Sequence, residues 1–88
     1  MKEIYLLTKT YELNDVVQYT NQPSTFAEDE VEAWDILSNT RKHLEAIHPD
    51  LVVLAHDAKH LHYYWMENDD EHREIIWVHQ VKHSTWAW

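Results

Sequence analysis

The 88-residue chain contains no glycine. Glycine adopts positive φ at the least cost, so tight turns in this chain must be made by asparagine, aspartate or proline. Residues of this kind occur at 13–15, 21–24, 49–50, 56–59 and 67–71, and we predict turns or element ends there. The same absence argues against a glycine-rich loop that cradles phosphate.

The segments between these turns predict five strands. Residues 3–11 and 16–20 are rich in aromatic and β-branched side chains, which is typical of two strands that pair as a hairpin. The apolar run 51–55 is too short for a second helix and predicts a strand. Residues 60–66 and 74–83 predict a second hairpin across the polar turn 67–71, followed by a short aromatic tail at 84–88.

One helix is predicted between residues 25 and 48. Thr25 and Glu28 fit a capping box at its start, and Pro49 ends it near His48. Acidic residues in the first half and basic residues in the second half complement the helix dipole. A stripe at helical spacing would face the core: Val31, Trp34, Leu37, Leu44 and Ile47.

The order β-β-α-β-β-β predicts a single α+β domain over residues 1–88. We expect a small antiparallel sheet with one helix packed on one face, of five strands, or four if 51–55 is a loop. The opposite face would be open or would form a dimer surface.

The sequence allows two registers for the hairpin formed by residues 60–66 and 74–83. A two-residue turn at Asp69 and Asp70 would pair His60 with His79 and place His62 on the same face. A one-residue slip would move His79 to the other face. The slipped register is favoured because it groups more apolar residues: Leu61, Tyr63, Trp65, Ile75, Trp77 and Val81.

The composition narrows the classes of partner. Sixteen Asp and Glu against seven Lys and Arg give a net charge of −9, which opposes direct nucleic-acid binding. The chain has no cysteine, and therefore no disulfide framework or thiolate metal site. We expect no signal peptide, because residues 1–8 are too short and too polar a stretch, and no membrane span, because no apolar run approaches about 18 residues. We expect a cytoplasmic protein with no cofactor and no membrane partner.

All eight histidines lie between His43 and His83. If His60, His62 and His79 share a face, they could ligate a metal ion. Protonation of all eight would take the charge from −9 to about −1, so a pH switch is a second interpretation. His56 and the adjacent Asp57 point to opposite faces of a strand and no nucleophile motif is present. We therefore do not expect an enzyme.

Two acidic clusters could imitate a phosphate backbone if the fold brings them onto one side. Alternatively, the first complements the helix dipole and the second is an exposed turn that opposes aggregation. The first cluster is Glu28, Asp29, Glu30, Glu32 and Asp35, and the second is Glu67, Asp69, Asp70, Glu71 and Glu74.

Five tryptophans and five tyrosines exceed what one helix can bury, and exposed aromatic residues are enriched at interfaces. We therefore predict a protein–protein interaction module that binds another protein or a second copy through the open sheet face and the aromatic tail. Compact acidic proteins of this type are common among accessory proteins of bacteria and their phages. The predicted anchors are Tyr63, Trp65, Trp77, Trp86 and Trp88.

Two alternatives remain. One is an acidic inhibitor that mimics nucleic acid and occupies the basic groove of a nucleic-acid-handling protein, such as a defence nuclease. The other is a histidine-ligated metal-binding protein.

Overall fold

The computed structural model describes residues 3–82, which form one five-stranded antiparallel sheet and one helix. The strands lie in the order β2-β1-β5-β4-β3 across the sheet, and the helix follows the second strand. The predicted α+β class and element order are therefore confirmed. The elements are β1 (Glu3–Leu13), β2 (Val16–Ala27), α1 (Glu30–Ile47), β3 (Val52–His56), β4 (His60–Glu67) and β5 (Asp70–Lys82).

Two tight turns without glycine connect β1 to β2 and β4 to β5. Asn14 and Asp15 have φ of 50° and 65°, and Asn68 and Asp69 have φ of 52° and 66°. Two successive residues at positive φ are the pattern of the type I′ turn, whose twist matches that of hairpin strands. Asparagine and aspartate thus supply the conformation for which glycine is usually chosen, as the sequence predicts.

The side chain of Asn14 connects the two turns by hydrogen bonds. It donates a hydrogen bond to Asp70 Oδ1 at 2.9 Å and accepts one from the backbone N–H of Glu71 at 2.8 Å. The contact is possible because β1 pairs with β5, which brings both turns to the same end of the sheet.

The register of β4 and β5 shows that the favoured slipped register is wrong. Glu67 pairs with Asp70 and His60 pairs with Trp77 in an uninterrupted ladder. The turn lies at Asn68 and Asp69, one residue earlier than the turn at Asp69 and Asp70 that defines the unslipped register. Moving a two-residue turn by one position shifts the pairing by two residues, so the side chains keep the faces of the unslipped register.

The core lies between α1 and one face of the sheet. Leu37 and Leu61 are fully buried, and Leu7 is 1% exposed. Of the predicted helical stripe only Leu37 and Leu44 are buried, whereas Val31, Trp34 and Ile47 are 70%, 41% and 53% exposed. The buried core residues are Leu7, Ala27, Ala33, Leu37, Leu44, Leu61, Tyr63, Trp65 and Ile76.

The predicted capping box at Thr25 is wrong because β2 continues to Ala27 and pairs with β1 along its length. The N-cap is Asp29, which accepts a hydrogen bond from the backbone N–H of Glu32 at 2.8 Å. Glu32 in turn accepts one from the backbone N–H of Glu28 at 3.5 Å. An acidic capping arrangement four residues later therefore starts the helix.

Substitutions in the turn between β4 and β5 can measure the energetic cost of making a tight turn without glycine. Asp69 holds φ at 66°, a region in which residues with a Cβ are strained. We expect Asp69→Gly to raise the free energy of unfolding by about 0.5–1 kcal/mol, and Asp69→Val to lower it by about 1–2 kcal/mol. Urea unfolding measures both.

Asp69→Asn is the control for the lost charge, since asparagine also tolerates positive φ. If Asp69→Gly and Asp69→Asn are equally stabilising, charge relief and not backbone strain explains the result.

Candidate functional site

The face of the sheet opposite α1 is covered by no element of residues 3–82, and we call it the open face. Strand residues alternate between faces, so the neighbours of the buried Leu7, Leu61 and Ile76 point to this side. Its apolar half lies toward the Glu3 end of β1. There Leu6 lies between Phe26 and His79 on the flanking strands, and Ile4 pairs with Val81.

Trp77 lies near the centre of the open face and is 39% exposed. Its indole stacks on the imidazole of His60, with the ring centroids 4.8 Å apart and the planes 14° from parallel. His60 is held by Asp57, whose Oδ1 lies 3.0 Å from Nδ1 of His60. The same oxygen accepts the backbone N–H groups of Lys59 and His60. The β3–β4 turn thus fixes the histidine that supports Trp77.

The bonds around Asp57 also set its ionisation. The backbone N–H of Lys59, followed by the backbone and side chain of His60, holds the pKa of Asp57 below its ordinary value. The carboxylate therefore stays ionised at neutral pH and keeps the Nδ1 of His60 in the role of donor.

His79 belongs to a second polar group on the open face. Thr8 Oγ1 donates to Asn21 Oδ1 at 3.3 Å and lies 2.9 Å from His79 Nε2. Thr8 is only 4% exposed, so this group satisfies a buried hydroxyl.

His62 and Arg73 form the third polar group. Burial, followed by the nearby Arg73 guanidinium and His60, lowers the pKa of His62, while Glu12 acts in the opposite sense. Arg73 lies over the ring of Tyr64 at 5.6 Å and 3.6 Å from a carboxylate oxygen of Glu71. His62 is therefore neutral at pH 7.

The predicted metal site at His60, His62 and His79 is wrong. No group of three potential ligands among residues 3–82 is placed to hold a metal ion. The three histidines share the open face, but His79 lies two residues beyond the partner of His60 on β5 and is bonded to Thr8.

Two of the predicted anchors lie in the core. Tyr63 is 1% and Trp65 is 8% exposed, because the actual register turns both toward α1. The Tyr63 hydroxyl donates to Glu74 at 2.5 Å; burial and the Glu74 carboxylate raise its pKa. Trp77 remains available on the open face, whereas Trp86 and Trp88 lie outside the described residues.

Each tryptophan within residues 3–82 stacks on at least one histidine. Trp34 stacks on His56 with the centroids 4.6 Å apart. Trp65 stacks on His48 at 4.3 Å and on His72 at 5.1 Å. These pairs join different elements, so no local spacing in the sequence could have revealed them.

The two acidic clusters lie at opposite ends of the sheet. Tyr5 donates to Glu30 at 3.3 Å, which places the helical cluster beside the start of β1. Leu13 pairs with His72 close to the β4–β5 turn, which places the second cluster beside the end of β1. Tyr5 and Leu13 are about 26 Å apart along the strand, so the fold does not merge the clusters.

The strand positions of the open face carry little charge. Within the described strands, the acids on this face are Glu12 and Glu71, and the permanent cation is Arg73. The remaining described carboxylates lie on the helix, in turns or on the helix-covered face. The acidic character of the protein is thus separated from its apolar surface.

Comparison with known protein families, with curated proteins and with solved structures gives no significant match. No helix among residues 3–82 is both long and apolar enough to cross a membrane.

The lowered histidine pKa values predict a pH dependence of folding. Burial, followed by the Arg41 guanidinium, also lowers the pKa of His56. His56 and His62 bind protons more readily in the unfolded chain, so their contribution to stability is complete above a pH of about 6.5 and is lost as the pH falls below it.

Urea unfolding at about pH 7 and pH 5.5 tests this window. We expect His56→Gln with His62→Gln to reduce the loss of stability between the two pH values. The exposed His43→Gln is the matched control. An unchanged pH slope in the double variant would contradict the assignment.

Proposed function

We propose that the protein is a protein–protein interaction module whose binding surface is the open face. The proposal rests on the uncovered aromatic side chains of that face: Trp77 near its centre is 39% exposed, and Phe26 in its apolar half is 50% exposed. Ile4, Leu6 and Val81 lie beside Phe26 on the same surface and are half-buried. Exposed apolar and aromatic side chains on one surface of a domain are typical of an interaction site.

The arrangement of polar groups supports a protein partner. The centre of an interface is depleted of charged residues and enriched in aromatic ones. The open face has this composition: Thr8, His79 and His60, which have hydrogen-bond partners within the protein, lie beside the apolar residues. Such groups can be covered with little desolvation cost, because their partners remain in place.

The stacking of Trp77 on His60 supports its role as an anchor. A side chain that is already fixed in the free protein loses less conformational entropy when a partner covers it. The ring pair and the Asp57 bonds hold this indole on a rigid strand at the centre of the sheet.

Mimicry of nucleic acid by the acidic clusters is the weaker alternative, because their separation along β1 leaves no continuous row of carboxylates. The two functions differ in their salt dependence, since contacts between exposed charges are screened by salt. We also propose that the protein is cytoplasmic, as the composition led us to expect.

Replacing anchors of the open face tests the proposal. We expect Trp77→Lys and Phe26→Lys each to weaken binding, whether of another protein or of a second copy, by about 30-fold or more, as for interface anchors. Affinity capture at low and high salt, with bound proteins identified by mass spectrometry, measures the loss.

Val31→Lys is the matched control because Val31 is an apolar residue of α1 that is 70% exposed. Binding that resists salt and is lost only in the open-face variants supports the module. If binding survives both variants but is lost in high salt and in a variant that reverses Glu30, Asp69 and Asp70 to lysine, the acidic clusters and not the open face are the site.

The contribution of the aromatic tail has its own test. We expect Trp86→Ala with Trp88→Ala to weaken the same binding with little dependence on salt, because indole contacts are apolar. Unchanged capture and self-association would remove the tail from the binding surface.

A further inference from the structure

We propose that the occupant of the open face is a second copy of this chain, so that two sheets pack face to face with the helices outside. The inference rests on the proposed function and names the partner. It follows from the size of the face, its self-complementary chemistry and the small core of the single chain.

The open face is large enough for a stable dimer. The molecule measures 48 × 24 × 17 Å, and the 11 residues of β1 extend about 36 Å. The 49 residues of the five strands, at about 3.3 Å along each strand and about 4.8 Å between strands, cover about 780 Å², close to the roughly 800 Å² that one partner contributes to an interface of standard size.

The chemistry of the face is compatible with a copy of itself. A two-fold interface brings the same patch together twice, so a patch of one charge sign would repel itself. The described strands offer Glu12, Glu71 and Arg73 here, and Arg73 of one copy can meet a carboxylate of the other. The other strand positions of this face carry no permanent charge.

The net charge of −9 does not oppose this arrangement. Stacked sheets lie about 10 Å apart, and each acidic helix lies on the far side of its own sheet. The two helical clusters are therefore separated by more than the Debye length of about 8–10 Å, and their repulsion is screened.

The single chain buries little apolar surface for its length. Its described core has nine buried hydrophobic residues, and two of these are alanines. Domains of this size are marginal because much of their surface stays exposed. Covering Leu6, Ile75 and Trp77 with a second sheet adds the burial that one helix cannot provide, and couples stability to protein concentration.

Light scattering coupled to size exclusion, at micromolar concentrations, is the first test. We expect wild type to have about twice the 10.7 kDa mass of the chain, and its melting temperature to rise with concentration. Trp77→Lys and Phe26→Lys should each raise the dissociation constant of the dimer about 30-fold or more. Val31→Lys should remain dimeric, and circular dichroism confirms that each variant folds.

The absence of cysteine allows a second test by site-specific cross-linking. Ile75→Cys places one thiol at the centre of the open face, and Ala46→Cys places one on the exposed side of α1. With a short bismaleimide we expect a covalent dimer from Ile75→Cys and not from Ala46→Cys.

The outcomes separate this inference from the proposed function. A monomeric wild type overturns the second copy as occupant, and so does a dimer that survives both lysine variants or cross-links only through Ala46→Cys. If the monomer still captures another protein and Trp77→Lys abolishes the capture, the interaction module stands with a different partner. If the lysine variants change neither self-association nor capture, both proposals fail.

Discussion

The two-residue turn at Asn68 and Asp69 decides which side chains of β4 and β5 face the helix. It fixes the pairing of β4 with β5, and β5 lies at the centre of the sheet and continues in register with β1. A slip of one residue would turn Leu61 and Tyr63 away from α1 and bring His62 into the core. The positive φ values of this turn thus determine which residues are buried and which form the open face.

The helix covers only one side of this sheet, which leaves more aromatic residues than the core can hold. One consequence of having more aromatic residues than the core can hold is that indole rings stack on imidazole rings. An imidazole is flat and can stack on an indole while its nitrogens bond elsewhere, as His60 does with Asp57. Histidine therefore extends the packing around Trp34, Trp65 and Trp77 without adding permanent charge near them.

The element order and the chemistry of the turns could be predicted because both depend on local residues. Without glycine, Asn14 and Asn68 mark the positions that tolerate positive φ. The helix start could not be placed, because β2 runs through Pro23 to Ala27 along the edge of the sheet, where proline is tolerated. The faces of Tyr63 and Trp77 could not be predicted, because the two registers differ by a one-residue slip in the pairing and both of them group apolar residues.

A sheet face in contact with water normally alternates apolar residues toward the core with polar residues outward. β5 departs from that pattern, since Ile75, Trp77 and Val81 point away from α1 while Glu74 lies on the covered face. Contact with the helix cannot explain these outward residues, because the sheet lies between them and α1. The contact that we propose on the open face would account for both their apolar character and the exclusion of most carboxylates from their surroundings.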